Sequence, residues 1–260
     1  MESFLHIYGK PLLIIFLFMH MVFVVALIKK NNAIVDVFWG IGFLVTTVFL
    51  WWENEFVSTT QIITNILVLI WAIRLSSHIA MKNWGQPEDW RYINFRKAWG
   101  KHQILGAYLQ VFLLQGFFMF IILLPTIHVN MFFVPFSFLT YVGILCWAIG
   151  FVFEAVGDYQ KYIFKANPSN KGVILTTGLW KLTRHPNYFG EALMWWGVWI
   201  ISCSIFHPIA SMVGVLSPVI LTWLLINVSG VAMLEQKYVN NEAYQAYKKN
   251  TPRFFPKLWK

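Results

Sequence analysis

Residues 184–206 read RHPNYFGEALMWWGVWIISCSIF, a polar head that runs directly into an apolar segment of membrane length. The head combines a guanidinium, an imidazole, an amide, a phenol and a carboxylate, from Arg184, His185, Asn187, Tyr188 and Glu191. Polar groups are costly in hydrocarbon, so at the mouth of a membrane helix they usually face a ligand or a partner. The stretch therefore predicts a transmembrane helix with a binding site at its N-terminal end.

The composition places the whole chain in a membrane. Of its 260 residues, 58% are hydrophobic and only 12% are charged, whereas a soluble domain carries about 25% charged residues. A bilayer-spanning helix takes about 20 apolar residues, and seven segments qualify: residues 11–28, 33–52, 60–81, 104–128, 135–157, 187–206 and 209–233. We therefore predict an all-α polytopic membrane protein with seven transmembrane helices and a single integral domain over residues 1–260.

The basic residues lie on one side of this seven-span topology. Lysines and arginines crowd the first, third and fifth connections and the tail, whereas the opposite side has only Lys10. The positive-inside rule then places the N-terminus outside and the C-terminus in the cytoplasm. The same asymmetry explains the net charge of +9 without a nucleic-acid partner. Neither a nucleic acid nor a protein partner is expected.

Ionisable side chains within the predicted spans collect near the cytoplasmic ends. Asp36 lies about one turn into the second span, and Arg74 lies within about two turns of the end of the third. Further acidic groups occur in the fifth, sixth and seventh spans or directly after them: Glu154, Asp158, Glu191 and Glu235. A through-pore needs polar residues at every depth, so this pattern predicts a cavity that opens to the cytoplasm. Asp36 and Arg74 could alternatively form a structural ion pair.

The start of the sixth span is suited to an anion. Pro186 fits the first turn of a helix, where its missing N–H costs nothing. A helix that begins there directs free N–H groups and its positive end at the cytoplasm beside Arg184, which is a good place for a phosphate. Lys161 and Lys165 continue the helical stripe of the acidic residues in the fifth span. Arg184 could also be only a positive-inside anchor. The cysteines do not suggest a metal site, and none is expected.

Residues 177–180 (TGLW) and 184–191 (RHPNYFGE) resemble the steroid 5α-reductase-like membrane family, in particular its bacterial branch. The similarity extends to residues 35–40, 83–85, 88–92 and 234–235, with Tyr244, Lys248 and residues 253–256. It covers essentially the whole chain and is strongest after residue 150. The wider group with this motif includes sterol reductases. A shorter Arg-His-Pro-x-Tyr form also occurs in isoprenylcysteine and phospholipid methyltransferases.

The resemblance implies seven helices and a cytosol-facing cavity for NADPH. The cofactor-binding half of the protein would cover about residues 150–260. The candidate cofactor ligands are Asn83, Glu154, Asp158, Lys165, Arg184, His185, Asn187, Tyr188, Glu235 and Lys248. The implied reaction reduces a carbon–carbon double bond conjugated to a carbonyl in a lipophilic, steroid- or isoprenoid-like substrate that enters from the bilayer.

Three further residues are the catalytic candidates. Glu191 would lie at the nicotinamide, Asp36 would donate a proton, and Arg74 would orient Asp36 or act electrostatically. The expected location is the inner membrane of a bacterium.

Two other functions stay open. The first is an S-adenosylmethionine-dependent lipid or isoprenylcysteine methyltransferase, which would share the Arg-His-Pro-x-Tyr element but needs fewer basic contacts because its cofactor has no phosphate. The stripe of Lys161 and Lys165, and the full Asn-Tyr-Phe-Gly-Glu continuation, favour the reductase. The second is a non-catalytic lipid-binding membrane protein that has kept the fold.

Overall fold

The computed structural model describes residues 4–54, 57–205, 207–228, 230–236 and 238–257. All regular secondary structure in these ranges is helical and no strand occurs in them, which confirms the all-α prediction. The α-helices are α1 (Lys10–Lys29), α2 (Ile34–Trp52), α3 (Thr59–Asn83), α4 (Trp90–Trp99), α5 (Gln103–Ala107), α6 (Leu114–Met131), α7 (Phe138–Ala166), α8 (Pro186–Ser202), α9 (Pro208–Gly214), α10 (Leu216–Asn227), α11 (Val231–Gln236) and α12 (Glu242–Asn250). A π-helical turn at Leu5–Gly9 directly precedes α1, and a second one at Tyr108–Leu113 joins α5 to α6.

Within the described ranges, six helical segments are long and apolar enough to cross a bilayer. They are Leu5–Lys29, Ile34–Trp52, Thr59–Asn83, Trp90–Met131, Phe138–Ala166 and Pro208–Gln236. The sixth predicted span, residues 187–206, corresponds to α8, which has 17 residues and is shorter than these six; residue 206 lies outside the described residues. The helices therefore indicate an integral membrane protein, while the seven-span topology and its orientation stay predictions.

The chain packs as two compact units. The first falls within residues 1–136 and 204–214, and the second within residues 137–203 and 215–260. Asp36, Arg74 and Asn83 belong to the first unit, whereas every other candidate site residue belongs to the second. The single integral domain stays a prediction.

Aromatic side chains fill the core of the first unit. Phe43 of α2 and Trp71 of α3 are buried, with their ring centroids 5.0 Å apart. Gly40 allows α2 to approach the backbone of α3, because a Cβ at this position would lie 2.6 Å from the carbonyl oxygen of Ala72. Asn65 and Asn130 exchange buried amide hydrogen bonds of 2.8 and 3.0 Å, which fasten α3 to α6. Satisfied polar pairs of this kind specify which helix faces pack together.

Glycines bring α7 and α8 of the second unit into close contact. Gly143, Gly150 and Gly157 recur every seven residues on α7, as Gly190 and Gly197 do on α8; seven residues are about two helical turns. A Cβ on Gly150 would lie 2.6 Å from the carbonyl oxygen of Gly190. The two backbones therefore meet where neither helix has a side chain, and the polar residues of both helices are set face to face.

Candidate functional site

The polar head of α8 packs against the end of α7. Pro186 takes the first helical position of α8. Gly157 of α7 lies close to it, because a Cβ on Gly157 would be 3.2 Å from the ring of Pro186 and 3.2 Å from the backbone nitrogen of Asn187. The side-chain Nδ2 of Asn187 donates a hydrogen bond of 3.1 Å to Oδ1 of Asp158. The Oδ1 atom of Asn187 is buried and has no hydrogen-bond partner among the described residues. Because buried polar atoms are normally paired, this oxygen is a candidate acceptor for an N–H group of a ligand.

Arg184 is a buried cation whose guanidinium is only partly satisfied by hydrogen bonds. Its side chain is 5% exposed, and its Nη1 lies 2.8 Å from Oε1 of Glu235 in α11. Nε2 of His185 lies 3.2 Å from the same oxygen. Nε of Arg184 is buried and has no hydrogen-bond partner in the described part of the chain. Glu235 therefore balances the charge of the guanidinium through Nη1, while Nε stays without a partner.

Two titratable groups beside this ion pair have shifted pKa values. The His185 ring stacks on Tyr188, with centroids 5.8 Å apart. Burial lowers the pKa of His185 below its usual 6.5, although the hydrogen bond to Glu235 acts in the opposite direction. Burial, and then the neighbouring Glu235, raises the pKa of Tyr244 to about 12. At neutral pH the site thus holds a neutral imidazole and a protonated phenol.

The C-terminal segment, residues 251–257, is fastened to the loop that precedes α8. The backbone N–H of Arg184 donates to the carbonyl oxygen of Pro252 at 3.0 Å. The hydroxyl of Thr183 donates to the carbonyl oxygen of Phe254 at 2.9 Å. These bonds fix the backbone at Arg184 and at the residue before it, so the tail helps to position the buried guanidinium.

Besides Asp158, two further carboxyl groups are buried along the contact of α7 with α8. Glu154 is 2% exposed and Glu191 is 9% exposed, whereas Lys165 and Lys248 are exposed at the surface. Buried ionisable groups often mark functional sites, so both acids are functional candidates. Eight predicted residues lie on or next to this contact: Glu154, Asp158, Arg184, His185, Asn187, Tyr188, Glu191 and Glu235.

The candidate residues of the first unit, Asp36, Arg74 and Asn83, lie outside the contact of α7 with α8. Nη2 of Arg91 donates to Oδ2 of Asp36 at 2.7 Å, and the hydroxyl of Tyr92 donates to Oδ1 at 2.5 Å. Arg74 and Asn83 are half-buried. Because Arg91 and Tyr92 both come from α4, Asp36 joins α2 to α4, a structural role that the sequence analysis did not assign to it. The catalytic roles of Asp36 and Arg74 stay predictions.

Sequence reasoning missed several residues that build these clusters. Arg91 is separated from Asp36 by 55 positions, and no periodic pattern signals a contact at that distance. Tyr247, whose hydroxyl donates to the carbonyl oxygen of Trp180, was also missed. Its spacing gave a usable signal, because Tyr244 and Tyr247 are three residues apart and therefore share one face of α12.

The depressed pKa of His185 predicts that the second unit loses stability in mild acid. The folded protein binds this proton less readily than the unfolded chain, so the contribution is complete above pH 6.5 and is lost as the pH falls toward the folded pKa. We expect the melting temperature of the wild type in detergent to be lower at about pH 5.5 than at about pH 7.5. The decrease should be smaller for His185→Gln. His102→Gln, at an exposed histidine, is the control and should keep the wild-type dependence. An unchanged slope in His185→Gln would contradict the assignment.

Comparisons with known proteins identify a family and one local similarity. A family model described as "Protein of unknown function (DUF1295)" matches residues 22–251. A curated relative, the "Probable O-methyltransferase ustE" of Ustilaginoidea virens, is 48% identical over 46 residues. That match covers 18% of this chain and only 16% of the relative. No solved structure matches the chain.

Proposed function

The chain belongs to the DUF1295 family, which is the steroid 5α-reductase-like family, and on this premise we propose that it is a membrane-embedded, NADPH-dependent reductase. The proposed reaction reduces a carbon–carbon double bond conjugated to a carbonyl in a lipophilic substrate drawn from the bilayer. The family match confirms the resemblance at the level of the family and supports an enzyme. The cofactor and the reaction are our proposal.

The observation that carries the proposal is the unsatisfied hydrogen-bonding capacity of Arg184. Its Nε is buried without a hydrogen-bond partner among the described residues, immediately before the N-terminus of α8, which has 17 residues. Guanidinium groups and helix N-termini are the usual protein partners of phosphate. Arg184 is therefore proposed to hold a cofactor phosphate, with the exposed Lys165 and Lys248 as further cations.

The neighbouring groups fit the rest of such a cofactor. The buried Oδ1 of Asn187 lacks a hydrogen-bond partner in the described residues and can accept from a carboxamide N–H. When bound, NADPH would supply the hydride. Glu191 and Glu154, both buried, are proposed to order the cofactor and to exclude water from it. The protonated phenol of Tyr244 can keep donating to Glu235 and so hold that carboxylate against Arg184.

A methyltransferase is the second candidate. The local similarity to a probable O-methyltransferase favours it, and the Arg-His-Pro-x-Tyr element is common to both classes. S-adenosylmethionine carries an amino and a carboxylate group, which Asn187 and Arg184 could also bind, but it has no phosphate. Affinity for the two cofactors therefore separates the two functions.

The proposed orientation follows the charge pattern. We propose that the C-terminus and the site of the second unit face the cytoplasm of a bacterium, with the protein in its inner membrane. The six apolar helices support the membrane location, and the positive-inside rule supports the orientation.

Nucleotide binding tests the proposal directly. We expect NADPH to raise the melting temperature of the purified full chain in mild detergent, and S-adenosylmethionine not to do so. Arg184→Lys keeps a positive charge opposite Glu235 but removes the Nε donor of the guanidinium, which has no partner among the described residues. Because a charge-assisted hydrogen bond contributes roughly 1.5–3 kcal/mol, the variant should bind NADPH at least about tenfold more weakly.

Lys181→Gln is the matched control for this experiment, because Lys181 is an exposed cation three positions away. It should leave the affinity for NADPH nearly unchanged. Binding of S-adenosylmethionine without binding of NADPH would establish the methyltransferase instead. Binding of neither cofactor would favour the non-catalytic alternative.

A further inference from the structure

A shallow hollow of about 300 Å³ lies in the first unit, outside the residues proposed to bind the cofactor. Phe23 of α1 forms one side of it. The other residues come from the chain just after α4 and are Lys101, His102, Ile104, Leu105 and Tyr108. The hollow therefore combines a cation, an imidazole and an apolar wall.

The packing around Gly100 builds this hollow. Gly100 has a φ of 51° and ends α4. The ring of Trp99 lies against Gly106, where a Cβ would be 2.5 Å from its Cδ2, and its Nε1 donates to Oε1 of Gln110 at 3.2 Å. The rings of Tyr108 and Phe23 pack with centroids 4.9 Å apart. The wall is thus fixed by ring packing between α1 and the helix that begins at α5.

The polar side of the hollow offers unbalanced positive charge. Lys101 and His102 are exposed, and neither has an ion pair or a side-chain hydrogen bond with other described residues. Arg96, on the preceding helix, is by contrast paired with Glu88 at 2.8 Å. No acidic residue lines the hollow. A cation beside membrane-spanning helices attracts the anionic head groups of lipids.

The apolar side suits a hydrocarbon chain. Ile104 and Leu105 are 59% and 56% exposed, and α1, which supplies Phe23, also exposes Val24 and Leu27. A small water-soluble anion would leave these groups unused, whereas a lipid buries them. We propose that this hollow binds an anionic phospholipid, with its phosphate at Lys101 and His102 and an acyl chain against Ile104, Leu105 and Tyr108.

Lipid retention tests this site independently of any cofactor. The full chain is reconstituted into nanodiscs of phosphatidylcholine and phosphatidylglycerol in equal parts, released into mild detergent, and examined by native mass spectrometry. The wild type should retain phosphatidylglycerol in preference to phosphatidylcholine. Lys101→Gln should reduce this preference by about fivefold, the effect expected for one lysine at an anionic surface. Lys97→Gln removes an exposed lysine that does not line the hollow and should leave the preference unchanged.

A second variant addresses the apolar wall. Leu105→Asn should lower the retention of both lipids at an unchanged melting temperature, because Leu105 is largely exposed. Three results would overturn the site: equal retention of both lipids by the wild type, an equal loss in Lys97→Gln and Lys101→Gln, or unaltered retention in Leu105→Asn. Displacement of phosphatidylglycerol by inorganic phosphate would show that the hollow recognises a free anion and not a lipid.

Discussion

Replacing Gly150 by alanine should lower the free energy of unfolding of the second unit by roughly 3 kcal/mol, the upper end of the usual cost of overpacking. The added Cβ would lie 2.6 Å from the carbonyl oxygen of Gly190 and 2.8 Å from the backbone nitrogen of Met194. Both are backbone atoms, so α7 and α8 have to separate along their length. The melting temperature of the full chain in detergent measures the effect, and Asn187 should lose its contact with Asp158 as the helices part.

Two other glycines provide graded controls for this substitution. At Gly157 the nearest atoms to a Cβ lie 3.2 Å away, so Gly157→Ala should cost much less than Gly150→Ala. At Gly9 the nearest atom lies 3.9 Å away, and Gly9→Ala in a helical turn should be neutral or slightly stabilising. Equal losses in all three variants would show that the close approach of the two helices is not the cause.

The helices themselves could be predicted from the sequence because apolar length is a local signal. Pro186 correctly predicted the start of α8, since its fixed φ and missing N–H suit a first helical turn. The segment predicted as residues 104–128 belongs to a longer helical run, Trp90–Met131, because α4 is joined to it through Gly100–His102. Hydropathy alone does not identify a helix such as α4, in which apolar and polar residues are mixed.

The site could be predicted only in part. The motif placed Asp158 and Asn187 in one cluster, and the structure brings them into hydrogen-bonding contact. The sequence predicted Arg184 as a phosphate ligand beside a helix N-terminus, which stays a prediction, but it did not predict that the side chain is buried against Glu235. The partner of this ion pair lies 51 positions further along the chain, and only tertiary packing decides such a pairing. The role of the tail as a support for the loop before α8 depends on backbone hydrogen bonds, which side-chain patterns do not reveal.

The ion pair of Arg184 with Glu235 leads to the second large prediction. Glu235→Ala would leave a guanidinium that is only 5% exposed without its counter-ion. Stranding one member of a buried pair costs on the order of 3–5 kcal/mol, so the second unit should unfold far more readily. The imidazole of His185 would lose its acceptor in the same variant. Thermal unfolding in detergent measures this loss, and Glu242→Ala, at an exposed carboxylate of α12, should have little effect.

The double variant Arg184→Met with Glu235→Leu distinguishes a stranded charge from lost packing. Apolar side chains of similar volume can replace a buried ion pair at little net cost, so most of the stability lost in Glu235→Ala should return. The remaining deficit should be about 1 kcal/mol, the usual value of the hydrogen bond that His185 can no longer make. The stable double variant should nevertheless fail to bind NADPH, because Arg184 is the proposed phosphate ligand. A double variant as unstable as Glu235→Ala would mean that the pair itself supports the fold, and full NADPH affinity in a stable double variant would remove Arg184 from the cofactor site.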